Sequence, residues 1–75
     1  MNNIKTNIKP GQVYKCRNGA TAKVLSAGEP GVRPIRAEIA EEGMSVPYAR
    51  WYRIDGREFA DGGESPYDLI ALYAE

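Results

Sequence analysis

Apolar and charged side chains alternate without a break along Ile35-Arg36-Ala37-Glu38-Ile39. That two-residue period sends one set to a buried face and the other to water, so it predicts a half-buried strand. A looser alternation predicts a first strand over residues 12–17 and a second over 21–25, where Ala22 and Val24 share one face and Lys23 takes the other. Asn18-Gly19 between them is a hairpin signal, because both residue types tolerate the positive φ that tight strand reversals need. Lys9-Pro10-Gly11 predicts the turn that precedes the first strand. Residues 46–54 predict a fourth strand, in which Pro47 lacks an N–H and must lie at an edge, a bulge or the strand's start. Asp55-Gly56 then turns the chain into a short fifth strand over 57–60. Residues 27–34, Glu41-Glu42-Gly43 and Asp61-Gly62-Gly63-Glu64 predict exposed loops.

The C-terminal run supports two readings. Ser65-Pro66-Tyr67-Asp68 has the order of a helix start: Ser as N-cap, Pro at the first helical position, and an acid reaching back. Residues 69–73 then either extend a short helix or follow one helical turn as a closing strand. The second is favoured, because a last strand would cover the edge of the first. Turn signals recurring about every 8–12 residues predict a mainly all-β domain, a small antiparallel barrel or sandwich of five to six strands with one short helical turn near the C-terminus. The expected boundaries are a flexible polar leader over 1–8 and a single domain over 9–75.

Size and composition narrow the chemistry. Seventy-five residues bury one modest core and leave stability marginal. Cys16 is the lone cysteine and there is no histidine, so an internal disulfide and a Cys/His zinc site are excluded. Small domains without such staples often self-associate, so a homo-oligomer is expected. A lone thiol suits a reducing cytoplasm. The apolar runs are too short for a membrane span, and the first residues lack a signal-peptide h-region. Net charge is zero but unevenly spread: residues 1–36 carry seven Lys or Arg against Glu29 alone (net +6), and residues 37–75 carry three Arg against nine acids (net −6). Either early basic strands lie beside late acidic ones, or one basic face steers an anionic partner.

Catalytic constellations are missing. No Ser/His/Asp or Cys/His set is present. The loop over 61–64 has two glycines but its acids repel phosphate. Asp55 and Asp61 could approach each other as glycosidase carboxylates do, but so small a chain leaves little room for a cleft. Cys16 reads as a buried small hydrophobe, and Asp68 as a cap or turn residue. No enzyme activity and no cofactor are expected.

Binding is the remaining chemistry, and five tyrosines with one tryptophan suit it. In the fourth strand Tyr48, Arg50, Tyr52 and Ile54 share one face, and Ala49, Trp51 and Arg53 the other. Both faces mix aromatic residues with arginine, so the period leaves the facing open. A small core needs its largest side chain, so Trp51 is expected inside with Ala49 and Phe59, turning Tyr48, Arg50 and Tyr52 outward as a binding stripe. The alternative leaves Trp51 outside as an exposed anchor. The competing reading pairs Arg50 and Arg53 with Glu38, Glu58 or Asp55 across strands. Arg33 and Arg36, flanking Pro34, could grip an anionic ligand bidentately or be solvated loop charges.

Tyr14 through Gly19, Pro34 through Ile39, Asp55-Gly56-Arg57 and Ser65 through Ile70 together carry a resemblance. Across residues 9–72 the chain resembles a loose family of small proteins encoded by bacteriophages and prophages. The resemblance implies a compact SH3-like β domain in the cytoplasm of an infected bacterium, and it supplies no catalytic residues. The expected function is a non-catalytic binding module, a phage accessory protein that binds and modulates a host protein. The alternative is an oligomer sequestering a nucleotide-like small molecule through Tyr/Trp stacking and Arg–phosphate contacts. Nucleic-acid binding is disfavoured by the zero net charge. A virion component is a further alternative.

Overall fold

A computed structural model describes residues 8–74. It is all-β: β1 (Val13–Cys16), β2 (Thr21–Ser26), β3 (Ile35–Ala40), β4 (Tyr48–Tyr52) and β5 (Leu69–Ala74) form one antiparallel sheet in the order β4-β3-β2-β1-β5. The first four strands meander, and the last returns to lie beside the first. Among the described residues there is no helix, and hence none long and apolar enough to cross a membrane. Residues 1–7 of the expected leader lie outside the described residues. Ile8, also assigned to the leader, is buried in the core.

The Asx-Gly signals act through one local mechanism used three times. At the β1–β2 reversal Gly19 N–H donates to Cys16 C=O at 2.9 Å, Cys16 N–H donates to Ala20 C=O at 2.8 Å, and Asn18 Oδ1 accepts Ala20 N–H at 3.0 Å. Gly19 holds φ at 93°, which an L side chain rarely adopts. The result is a three-residue loop closed by a left-handed glycine. Asp55-Gly56 repeats it: Gly56 N–H to Arg53 C=O, Arg53 N–H to Arg57 C=O, Asp55 Oδ1 from Arg57 N–H, and φ 87° at Gly56. At Asp61-Gly62, Gly62 N–H donates to Phe59 C=O and Asp61 Oδ1 accepts Gly63 N–H.

Only the first of these turns joins two strands. The expected fifth strand over 57–60 is a bend. Glu58 N–H is taken by Asp68 Oδ1 at 2.8 Å, and the chain reverses again at Phe59, which is 46% exposed and not in the core. Five strands therefore stand where five or six were expected. No helix forms near the C-terminus, although its cap is built. Ser65 Oγ accepts Tyr67 N–H at 3.1 Å and Asp68 Oδ2 accepts Ser65 N–H at 3.0 Å, the two bonds of a capping box. Propagation stops at a single turn, where Asp68 N–H donates to Ser65 C=O, because Leu69 N–H goes to Gly56 C=O and β5 pairs with β1.

The facing of β4 corrects the sequence expectation. Its register sets Tyr52 opposite Ile35, Arg50 opposite Ala37 and Tyr48 opposite Ile39. Ile35, Ala37 and Ile39 are the buried face of β3, and directly opposed residues share a face. Tyr52 is accordingly 0% exposed, whereas Trp51 is 40% exposed on the outer face. Tyr14, Cys16, Ala22, Val24 and Leu69 complete the same core.

Charge is balanced across the ladder. Lys23 stands opposite Glu38 in the β2–β3 register, and Arg17 reaches Glu64 and Asp68 at 3.3 Å each. Early basic residues thus lie beside late acidic ones.

Candidate functional site

The residues expected to form a binding stripe build an internal polar frame instead. Arg50, opposite the small Ala37, has room to fold its guanidinium inward. It lies 3.8 Å over the Tyr67 ring and 5.2 Å over the Tyr48 ring, and pairs with the buried Glu58 carboxylate. Glu58 Oε1 accepts the Ser65 hydroxyl at 2.6 Å. Asp68, 1% exposed, accepts from Glu58 N–H and Ser65 N–H and pairs with Arg17. Around the rim, Glu41 Oε2 accepts the hydroxyls of Tyr48 and Tyr67 at 2.8 Å each, and the two rings meet edge-on. Those two hydroxyls, Tyr67's first, hold the Glu41 carboxyl below the ordinary range. The Tyr48 hydroxyl and Glu41 push the Tyr67 phenol up to about 12. The Tyr52 hydroxyl donates to Tyr67 C=O at 2.8 Å, and burial raises its pKa.

This frame satisfies buried polar groups and joins the 53–68 connection to the sheet. It leaves little chemistry for a ligand. Arg50 meets Glu58 and Tyr48, Ser65 is 1% exposed, and burial pushes the Cys16 thiol up to about 11, far from a reactive thiolate. Arg50 and Arg53 take the pairing alternative, with Glu58 and Asp55. Among the described residues no group of three or more His, Cys, Asp or Glu is placed to hold a metal ion.

The outer face presents a different surface. An open depression of about 490 Å³ is lined by Glu29, Pro30, Val32, Arg33, Trp51 and Ala60. Trp51 reaches it because the β3–β4 register puts it opposite Arg36 on the solvent side. The Gly/Pro-rich β2–β3 loop brings Glu29 to the indole, whose Nε1–H donates to Glu29 Oε1 at 3.1 Å. Glu29 Oε2 accepts the Ser26 hydroxyl at 2.8 Å and lies 3.5 Å from Arg36 Nε. The Ser26 hydroxyl and the indole N–H hold this carboxyl below its ordinary range. The ring is thereby fixed in orientation with an exposed side.

Of the five sequence candidates, Arg33 lines this depression and Arg36 borders it through Glu29, while Tyr48, Arg50 and Tyr52 belong to the internal frame. Sequence reasoning expected Trp51 inside, and it placed Glu29 and Val32 in an exposed loop without singling them out as site residues. The signal was present in β3: once its alternation fixes the inner face, any register matching Ile35 and Ile39 to tyrosines turns Trp51 out. Compared with known proteins, the chain matches no family model, no curated protein and no solved structure.

Proposed function

We propose that this chain is a non-catalytic binding module that docks a partner protein against the Trp51 depression. The observation that carries the reading is Trp51 itself: a large aromatic side chain held by Glu29 at the wall of an open hollow, 40% exposed in a domain that has few side chains to spare for its core. Fixed aromatics bordered by arginine are the anchors that dominate protein interfaces, since they bring large apolar area at low conformational cost. Val32 at 66% exposure extends the apolar surface. The burial of Ser65 and Cys16 supports recognition over catalysis.

The domain is read as an SH3-like barrel. β4 and β5 do not pair, so such a barrel stays open between them. Supporting the reading is the Tyr52–Tyr67 bond, which draws the end of β4 toward the segment leading into β5. The resemblance to phage proteins gives the setting, a bacterial cytoplasm with a host protein as partner. The test is affinity capture from bacterial lysate with the native chain, Trp51→Ala and, on the same outer face, Lys23→Ala. Loss of the captured protein with Trp51→Ala alone is the expected result. Equal capture by all three chains would remove Trp51 from the interface and end this reading.

A further inference from the structure

The charges around the depression point to the chemistry of the partner. Three arginines hold the carbonyls of the loop behind Trp51: Arg33 Nη1 donates to Glu58 C=O at 3.4 Å, Arg53 Nη1 to Ala60 C=O at 3.3 Å, and Arg57 Nη1 to Gly62 C=O at 3.1 Å. Each such bond uses one of a guanidinium's five N–H donors. Arg53 directs another nitrogen at Asp55, 3.1 Å away. Among the described residues Arg33 and Arg57 form no ion pair, and both are exposed. The acid inside the depression, Glu29, already faces the indole N–H, the Ser26 hydroxyl and Arg36. Asp61, on the same loop, caps Gly63 N–H. An aromatic wall therefore sits beside the oriented guanidinium of Arg33, which forms no ion pair among the described residues.

We infer that the depression takes an acidic segment of a partner protein, with an apolar side chain seated against Trp51 and Val32 and a carboxylate on Arg33. Guanidiniums already held by a backbone carbonyl are oriented before the partner arrives, which lowers the ordering cost of a bidentate carboxylate contact. The inference rests on the docking surface proposed above and adds the sign and type of its ligand.

The test follows the single indole N–H resonance of the ¹⁵N-labelled chain during titration with four probes. These are an acidic apolar peptide (Asp-Phe-Asp-Glu-Leu-Asp), its basic counterpart (Lys-Phe-Lys-Lys-Leu-Lys), an acidic peptide without apolar residues (Asp-Ser-Asp-Glu-Ser-Asp), and ATP. The expected result is a saturable shift with the first, at least tenfold weaker with the third, and none with the second. Charge reversal in Arg33→Glu should weaken the first peptide by tenfold or more and admit the basic one. Because that substitution also releases the Glu58 carbonyl, the native chain gives an independent reading: its affinity for the acidic peptide must fall as ionic strength rises.

Absence of a saturable shift with the acidic apolar peptide at millimolar concentration, an equal shift with the basic one, or salt-independent affinity overturns the inference. A tighter response to ATP overturns it in favour of a phosphate-bearing ligand. Any of these outcomes, combined with lysate capture that still depends on Trp51, leaves the docking surface standing and removes only its charge assignment.

Discussion

Replacing Tyr52 by alanine should destabilise this protein more than the same change at Trp51, one residue earlier. Tyr52 is 0% exposed in the centre of the core, opposite Ile35. Truncating a fully buried aromatic costs about 3–5 kcal/mol through lost burial and an unfilled cavity. A chain of 75 residues has a total stability of about 4–11 kcal/mol at typical per-residue values, so about half of the margin goes at mid-range. Trp51, 40% exposed, loses only the burial of the remainder, about 2–3 kcal/mol. Tyr52→Phe keeps the ring and removes the hydroxyl bonded to Tyr67 C=O, which costs about 1 kcal/mol. Urea unfolding followed by circular dichroism orders the three variants without relying on the tryptophan. A cost for Trp51→Ala equal to or above that of Tyr52→Ala would refute the reasoning. It would mean β4 pairs one residue out of register, with its inner and outer faces exchanged.

Glu58→Ala should destabilise by about 2–4 kcal/mol, somewhat below the range for a fully buried pair because the Arg50 side chain is 30% exposed. The double variant Glu58→Leu with Arg50→Met should recover part of that loss, and the coupling is read from a double-mutant cycle of urea midpoints. Acid should also weaken the fold through two surface carboxyls. Glu29 and Glu41 have folded pKa values held below the reference 4.5, so the folded state favours their ionised forms. Their contribution is complete above pH 4.5 and is lost as pH falls through the lowered folded values. Melting temperature should hold above that pH and decline below it, and the decline should be smaller in Tyr48→Phe with Tyr67→Phe, which lacks the phenols that hold Glu41; an unchanged decline would show that these hydroxyls do not set it.

Local signals read correctly where one short segment decides the outcome. The alternation in β3, the hairpin at Asn18-Gly19 and the cap at Ser65–Asp68 all form as their residues dictate, because each depends on bonds within a few positions. The errors arise where a distant partner decides. Arg57-Glu58-Phe59-Ala60 alternates like a strand, yet Glu58 is drawn inward by Arg50 and Ser65, partners on other segments. The Ser65 cap starts no helix because Gly56 and β1 take the backbone groups that would continue it. The rule that the bulkiest residue fills the core failed at Trp51 because β4 has aromatic residues on both faces and takes its facing from β3. Tyr52 meets the demand of the interior better: its ring fills the space opposite Ile35 and its hydroxyl finds a carbonyl. The candidate site inherits that error. Once the strand is turned over, the tyrosine stripe becomes framework, while the loop arginine Arg33 stays on the surface.

How a partner can attach also follows from the ends of the sheet. A sheet with two free edges invites strand addition, and the run Leu69-Ile70-Ala71-Leu72-Tyr73-Ala74 is uncharged and apolar, the composition most prone to it. The β1–β5 ladder slips register twice, with Tyr14 opposite Leu72 after Val13 opposite Ala74, and Cys16 opposite Leu69 after Lys15 opposite Ala71. Tyr73 and Ile70 are the extra residues, and such bulges bend and twist an edge away from a flat template. At the other end, Pro47 removes a donor just before β4 and Arg50 points a charge inward, two further ways in which edge strands avoid pairing. With both edges blunted, a partner meets side chains rather than a backbone ladder. Main-chain pairing would accept many sequences, whereas an indole beside an oriented guanidinium would discriminate by shape and sign. On the docking reading proposed above, selectivity would reside at Trp51 and Arg33, two positions outside the core.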